Sequence, residues 1–232
     1  MSHTAIISDV HGNFHALSAV LADIARCGCE EIVSLGDIAG YGCQVNECIA
    51  ELRSRNIVNI LGNHDHYLIS GEGCPRSNSA NKCIEYQRNV ITPSHFEWLS
   101  RSVREIRNGD TWLVHGGWLD PVDEYMLSVS RQYFESLSAK IFFSGHTHVQ
   151  LLADLGDKTY CNPGSVGQPR DGDWRAAYAI LNGKHVRLRR VEYDVEAMCR
   201  EMSKAGFPEH FYDNLRKGTR IGGLCSVVRI LR

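Results

Sequence analysis

The sequence predicts an α/β fold of two packed mixed β-sheets with helices outside them, a four-layer αββα sandwich. Two observations lead to this prediction. Strand and helix patterns alternate over roughly the first sixty residues, which implies right-handed crossovers and parallel strands. The second half instead carries Asn-Gly pairs between short apolar runs, and such pairs favour antiparallel hairpins.

The first half opens with an apolar run at 4–8 that predicts a buried strand. A helix is expected next, because apolar residues recur at helical spacing after Asn13, a natural N-cap, and Gly28 ends the pattern. This helix is predicted at 14–27. Apolar patterns then predict a strand at 31–35, a helix at 45–55 and a strand at 57–61.

The second half has a helical pattern at 79–100, interrupted by a Thr-Pro pair at 92–93. Hairpins are predicted around the Asn-Gly pairs at 108–109 and 182–183. The predicted strands are 104–106, 111–114, 140–143, 150–153, 159–161, 176–181 and 185–191. The arginines of the last strand are interpreted as a solvated face: Arg187, Arg189 and Arg190.

The length and composition fit one domain over 1–232, with a helical C-terminal extension from about residue 194. With 25 basic and 27 acidic side chains, the chain has no charge excess for stable binding to nucleic acid or to an anionic membrane. The nine cysteines form no CxxC pair, so reduced thiols and a cytoplasmic location are expected. The oligomeric state is left open.

Aspartate, histidine and asparagine recur where the predicted strands end. In open α/β sheets the site lies outside the carboxyl ends of the strands. Asp9 and His11, two apart on a segment taken as extended, are expected to point to the same side. The full set of candidate metal ligands is Asp9, His11, Asp37, Asn63, His115, His146 and His148. Imidazole and carboxylate without thiolate suit Mn, Fe, Zn, Ni or Co.

These motifs, DxH, GD, GNH[DE], H and GHTH in this order, resemble the calcineurin-like metallophosphoesterase superfamily. The segment 161–170 is similar to its small bacterial and archaeal phosphodiesterase branch. The resemblance implies that Asp37 is shared by two metal ions. The implied ligand sets are Asp9, His11, Asp37 and His148 for one ion, and Asp37, Asn63, His115 and His146 for the other. It also implies that His64 protonates the leaving group and that Asp65 orients His64.

We therefore expect a divalent-metal-dependent phosphoric ester hydrolase that uses a hydroxide bridging two cations about 3.5–4 Å apart. A phosphodiesterase acting on small or nucleotide-like substrates is favoured. Mn is the favoured metal, with Fe, Ni, Zn, Co or Mg as alternatives. Gln168 and Arg170 are candidate contacts to substrate phosphate, and Trp118 is expected to stack on a base or aryl group.

Two other functions stay open. Protein phosphatases and their tetraphosphatase relatives carry an arginine soon after the GD aspartate, whereas residues 38–42 include none here. A guanidinium grips phosphate with two parallel hydrogen bonds, so its absence weakens the protein-phosphatase interpretation. A dinucleoside polyphosphate hydrolase is one alternative. The other is a non-catalytic scaffold with the same fold.

Overall fold

The computed structural model of the protein describes residues 3–231, and the predicted fold of two mixed sheets is confirmed. The strands are β1 (His3–Ile7), β2 (Glu31–Ser34), β3 (Val58–Asn59), β4 (Glu105–Asn108), β5 (Thr111–Val114), β6 (Ser128–Ser130), β7 (Ile141–Phe143), β8 (Leu151–Asp154), β9 (Thr159–Asn162), β10 (Ala176–Asn182), β11 (His185–Val191) and β12 (Arg229–Leu231).

The helices lie between these strands and in the C-terminal tail. They are α1 (Phe14–Arg26), α2 (Val45–Ser54), α3 (Asn63–Ser70), α4 (Asn78–Val90), α5 (Pro93–Ser100), α6 (Arg131–Phe134) and α7 (Val195–Lys204). Two short 3-10 helices, Glu209–Phe211 and Asp213–Arg216, follow α7. Within residues 3–231, no helix has both the length and the apolar character needed to cross a membrane.

The first sheet has the strand order β11-β10-β1-β2-β3, in which β1, β2 and β3 run parallel and β10 and β11 are antiparallel additions. The second sheet has the order β4-β5-β7-β9-β8, with parallel β5, β7 and β9 between two antiparallel edge strands. The parallel strands β5, β7 and β9 are internal to the second sheet, whereas in the first sheet β1 and β2 are internal and β3 is the edge strand. The loops after the parallel strands of the two sheets are hydrogen-bonded to one another, so the carboxyl ends of these strands meet at one edge of the molecule.

Apolar side chains from both sheets form the layer between them. This cluster consists of Ile6, Leu35, Ile60, Leu113, Ile141, Phe143, Cys161 and Ala179. A larger cluster joins α1, α2 and α4 to the outer face of the first sheet. The outer face of the second sheet is covered by a thin layer that includes the short helix α6 and the ring of Phe134. Burial of both faces of each sheet explains the near-continuous apolar runs in the central strands.

Several elements differ from the sequence prediction. The helical pattern at 79–100 is two helices, because the Thr92 side chain caps a new helix that starts at Pro93. The third predicted strand shortens to β3, and the unpredicted helix α3 starts directly after Gly62. The tail is helical only in α7 and the two 3-10 turns. Its end runs back as β12 and pairs in parallel with β6, which had not been predicted either.

The arginines of β11 do not all face solvent. Arg189 donates hydrogen bonds to the buried carboxylate of Asp23 on α1, with nitrogen–oxygen distances of 2.8 to 3.1 Å. Arg190 pairs with Asp171 and is largely buried. The interpretation of these two residues as a solvated face is therefore wrong. Their strand lies at the edge of the first sheet but is covered by α1 and by the loop at 171–175.

Candidate metal centre

Loops at the carboxyl ends of the central strands carry the predicted ligands. Asp9 and His11 follow β1, Asp37 follows β2, His115 follows β5, and His146 and His148 follow β7. Asn63 is the first residue of α3. All seven residues are buried and lie in one place. Residues distant in the sequence thus meet at the edge where the parallel strands end.

Asp9, His11 and His148 form the first group of candidate ligands. The two imidazole Nε2 atoms lie 3.0 Å apart, and the Asp9 Oδ1 atom lies 3.2 Å from Nε2 of His148 and 3.8 Å from Nε2 of His11. Two neutral imidazoles cannot each donate a hydrogen to the other across such a gap. A cation coordinated by all three atoms would account for their convergence.

Asp37, Asn63, His115 and His146 form the second group. The His115 Nε2 atom lies 3.4 Å from Asp37 Oδ2 and 3.2 Å from Asn63 Oδ1. One ligand atom from each of Asp37, His115 and His146 lies within 4.8 Å of the others. This set offers nitrogen and oxygen donors and no sulfur.

One oxygen of Asp37 faces both groups. Its Oδ2 atom lies 3.7 Å from Nε2 of His11 in the first group and 3.4 Å from Nε2 of His115 in the second. The other oxygen, Oδ1, accepts a hydrogen bond from the backbone N–H of His64 at 2.8 Å. The carboxylate is therefore fixed with one oxygen between the two candidate cation positions.

Three imidazoles are oriented by backbone carbonyl groups. A carbonyl only accepts, so the Nδ1 atom of each ring must carry a hydrogen, and the Nε2 atom is the one that faces the ligand group. The pairs are His11 with Ala39 (2.7 Å), His115 with Leu35 (2.9 Å) and His148 with Gln168 (2.6 Å).

Buried atoms without hydrogen-bond partners test whether these residues fit metal ions. The buried side-chain atoms without a hydrogen-bond partner within residues 3–231 include the Oδ1 atom of Asp9, the Oδ2 atom of Asp37 and the Nε2 atom of His146. Leaving a buried polar atom unpaired costs about 1–3 kcal/mol, and more for a charged group. All three atoms belong to the two ligand groups, so a pair of divalent cations would satisfy them.

The charges in this region favour an ionised carboxylate at Asp37. Burial alone would raise the pKa of Asp37, but the imidazoles of His115 and His64 hold it well below its usual range. For the imidazole of His115 the effects are opposite: burial alone would lower its pKa, but the nearby carboxylate of Asp37 raises it to about 9. A cation at the second group would displace that proton, so metal binding should release protons.

Five of the candidate ligands have left-handed backbone conformations. Their φ angles lie between 48° and 64°: Asp9 55°, His11 48°, Asp37 56°, His146 64° and His148 60°. Asp9 and His11 do point into the same site, as expected, but the segment that carries them is not extended. Their loops instead curl around the site. Such a conformation costs of order 1–3 kcal/mol at a residue other than glycine, and it persists where the surroundings enforce it.

The Asp65 carboxylate supplies part of that enforcement. Its two oxygens accept hydrogen bonds from the backbone N–H groups of Asp37 and Ala39, both at 2.9 Å, and a longer one from Gly62 at 3.3 Å. The structure does not show Asp65 orienting the His64 ring, since the buried Nδ1 atom of His64 has no hydrogen-bond partner within residues 3–231. Asp65 holds the loop that carries Asp37.

His64 lies at the edge of the first ligand group. Its ring centroid is 5.0 Å from that of His11 and 4.9 Å from that of Tyr41, and the ring lines a cavity of about 420 Å³. Burial lowers the pKa of the His64 imidazole to about 4. The ring therefore stands where a substrate in the cavity would meet it, next to the candidate ligands.

Comparison with known proteins assigns this arrangement to a family. Residues 2–185 match the model of the calcineurin-like phosphoesterase superfamily domain. The chain belongs to this superfamily. The resemblance stated from the sequence motifs is thereby confirmed, and the buried ligand groups lie within the matched residues.

Relatives over nearly the whole length agree with the assignment. A metallophosphoesterase of Sphaerobacter thermophilus is 32% identical and superposes with a TM-score of 0.81 over 94% of this chain and 99% of its own. An uncharacterized protein of Methanocaldococcus jannaschii is 33% identical over 94% of this chain and 98% of its own. The Escherichia coli phosphodiesterase YfcE is 25% identical over 75% of this chain and 84% of its own.

Two of the predicted substrate contacts of this phosphoesterase lie beside the ligand groups. Arg170 is buried, lines the cavity next to His64 and is held by the Oε1 atom of Gln168 at 2.7 and 3.1 Å. Gln168 is also buried, and its backbone carbonyl accepts the hydrogen of His148. Gln168 thus supports Arg170 and a candidate ligand, and direct contact between Gln168 and a substrate stays a prediction.

Trp118 is elsewhere. Its ring packs edge-on against Phe134 and Phe142, with centroids 5.2 and 5.0 Å away, within the aromatic layer on the outer face of the second sheet. The expected stacking of Trp118 on a substrate is not supported, because the ring is partly buried against these side chains and does not line the cavity beside His64.

Most of the residues that line the cavity had not been predicted as substrate contacts, and those with aromatic or cationic side chains among them are Tyr41, Arg76, Tyr125 and Arg220. The Tyr125 ring lies 3.7 Å, centroid to centroid, from that of His146. Tyr41 lies 4.8 Å from His11 in the same measure. The sequence signal for Tyr41 was its place in the loop after Asp37. The other three follow no motif.

Proposed function

We propose that this protein is a divalent-metal-dependent phosphodiesterase that acts on small or nucleotide-like phosphate esters. The observation that carries the proposal is the Oδ2 atom of Asp37, which is buried, unpaired and within 3.7 Å of imidazole nitrogens of both ligand groups. The name of the Escherichia coli relative supports a diester as substrate. The rings of Tyr41 and Tyr125 beside the cavity suit a base or aryl group.

In this proposal Asp9, His11, Asp37 and His148 would hold one cation. Asp37, Asn63, His115 and His146 would hold the other. Nitrogen and oxygen donors without thiolate suit Mn²⁺, with Fe, Ni, Zn, Co or Mg as alternatives. When bound, a close pair of such ions lowers the pKa of a water molecule and neutralises charge on the phosphate oxygens.

His64 would act as the general acid. Its backbone N–H holds Asp37, and its ring lines the cavity where the leaving group of an ester would lie. A proton delivered to a poor leaving group speeds its departure by roughly 10²–10⁴-fold. The ring must carry that proton although burial lowers its pKa, and the negative charge of a bound phosphate ester favours the protonated form.

The nine free thiols support a cytoplasmic location, where they would stay reduced. The scaffold alternative does not explain why buried ligand atoms of both groups lack hydrogen-bond partners, since a scaffold gains nothing from unpaired charge.

The test is a metal-dependent hydrolysis assay on purified protein. After removal of metal with EDTA, Mn²⁺ is added back and bound metal is counted by mass spectrometry. We expect about two ions per chain, and hydrolysis of bis(p-nitrophenyl) phosphate that is absent before Mn²⁺ is restored. Metal binding without cleavage of any diester would favour the scaffold. Faster cleavage of diadenosine tetraphosphate than of simple diesters would favour the polyphosphate hydrolase.

A further inference from the structure

The cavity in front of the candidate metal centre is lined by positively charged side chains. Of residues 3–231, three with guanidinium groups line it, Arg76, Arg170 and Arg220, and none with a carboxylate does. Arg76 is neutralised by an ion pair with Asp123. The other two arginines, Arg170 and Arg220, form no such ion pair within the described residues.

Arg170 and Arg220 are hydrogen-bonded only to neutral groups within the described chain. Arg170 bonds the amide oxygen of Gln168, and the Nε atom of Arg220 bonds the hydroxyl of Ser226 at 2.9 Å. Arg170 is 5% exposed, so its charge is largely removed from water. A cation held in such a place is stabilised by an anionic ligand, and guanidinium groups bind phosphate with good geometry.

The C-terminal tail brings Arg220 to the cavity. The backbone N–H of Ser226 donates to the carbonyl of Arg170 at 2.7 Å, and the N–H of Gly172 donates to the carbonyl of Gly218 at 2.9 Å. Gly218 has a φ of 64°, and a Cβ atom there would meet the Asp173 backbone at 2.5 Å, so this close approach requires glycine. The tail is therefore fastened on both sides of Arg220, outside the residues matched by the family model.

We propose that Arg220, together with Arg170, forms a subsite for a second anionic group of the substrate, a phosphate carried in addition to the one that is hydrolysed. This inference rests on the proposed function, because it places the scissile phosphate at the ligand groups. Charge on that phosphate would be balanced at the metal centre. The two arginines, which line the cavity together with His64, are then free to bind the additional phosphate.

The test compares two esters that differ only in the additional phosphate. Thymidine 5′-(p-nitrophenyl phosphate) and its 3′-phosphorylated form have the same leaving group and the same base. With Mn²⁺ present, we expect the native protein to prefer the 3′-phosphorylated ester in kcat/KM by roughly tenfold. Arg220→Ala should bring the ratio of the two kcat/KM values close to one, and Arg220→Lys should leave it intermediate because the charge is kept.

Lys217→Ala is the matched control, since it removes a tail cation that is 63% exposed and does not line the cavity. Its ratio should equal that of the native protein. Thermal unfolding of the Arg220 variants checks that the tail stays folded. A native ratio near one, or a ratio that Arg220→Ala leaves unchanged, would overturn the subsite.

A second readout separates this inference from the proposed function. The affinities of thymidine 3′,5′-bisphosphate and thymidine 5′-monophosphate are measured by titration calorimetry on the Mn²⁺-loaded protein and on Arg220→Ala. If neither ester is cleaved, the phosphodiesterase proposal fails by itself. Tighter binding of the bisphosphate that disappears in Arg220→Ala would still support the subsite, and equal affinities would refute it.

Discussion

An oxygen of the Asp65 carboxylate lies 2.9 Å from the backbone nitrogen of Asp37 and accepts its hydrogen bond. The other oxygen does the same for Ala39. The side chain next to the proposed acid in sequence thus holds the loop of the shared ligand. The strained conformation of Asp37 is stabilised from the first turn of α3.

Asp65→Asn should therefore weaken the loop. An asparagine side chain keeps one acceptor oxygen and turns an NH₂ group toward backbone N–H donors. We expect the free energy of unfolding to fall by about 1–3 kcal/mol. Metal content after dialysis should fall as well, and urea unfolding and metal analysis measure the two effects. A variant with native stability and native metal content, slowed only on poor leaving groups, would return Asp65 to the role of orienting His64.

Asp37→Asn should remove both ions rather than one, because its Oδ2 atom faces both ligand groups. Loss of outer-shell support alone costs 10–100-fold in metal affinity or activity, so we expect a loss of activity greater than about 100-fold. Bound metal, counted on purified protein, should fall below one ion per chain. Asp110→Asn, an exposed carboxylate outside the centre, is the control. Retention of one tightly bound ion would show that Asp37 serves a single group.

His64→Ala should keep the metal and change the dependence on the leaving group. Hydrolysis of esters with poor leaving groups should slow by roughly 10²–10⁴-fold, whereas nitrophenyl esters should slow far less. A series of aryl esters of graded leaving-group pKa measures this slope. His66→Ala on the same helix is the control, since its side chain is 43% exposed. Equal slowing of all esters would contradict the acid role.

Asp23→Asn should lower stability in a pH-dependent way. Burial alone would raise the pKa of Asp23, but hydrogen bonds from Tyr178 and Arg189 lower it below its ordinary value of 3.8. A lowered pKa in the fold means that the stabilisation is complete above about pH 4 and is lost as pH falls through the folded-state pKa. Urea unfolding should give a deficit of about 1–3 kcal/mol at pH 7 for the variant, and a smaller one at pH 3. A deficit that grew toward acid pH would refute this account.

The sheet core and the convergence of the candidate ligands were predictable because their signals are local. Apolar runs marked β1, β2 and β7, and the polar residues directly after them had to meet at the strand ends. The position of α3 was missed, since Asn63 looked like the end of a strand. The role of Asp65 in orienting His64 was implied by the family resemblance, whereas in the structure both Asp65 oxygens accept from the loop of Asp37, and adjacent residues on a helix do not face each other.

Other features depend on long-range packing that no short pattern records. The packing of Trp118 against Phe134 and Phe142 depends on segments 16 and 24 residues further along the chain. Arg220 reaches the cavity through a tail whose end pairs as β12 with β6, about a hundred residues earlier in the chain. The position of Arg220 beside the cavity could therefore be known only from the three-dimensional structure.

The left-handed backbone at the five ligand positions has an evolutionary consequence. Glycine adopts that conformation without steric cost, so the aspartate and histidine side chains at these positions oppose the conformational preference of the backbone. On the proposed function, a descendant freed from hydrolysis would gain thermodynamic stability by drifting to glycine at residues 9, 11, 37, 146 or 148. Glycines at these positions in a paralogue would therefore indicate a protein with this fold that has lost catalytic activity.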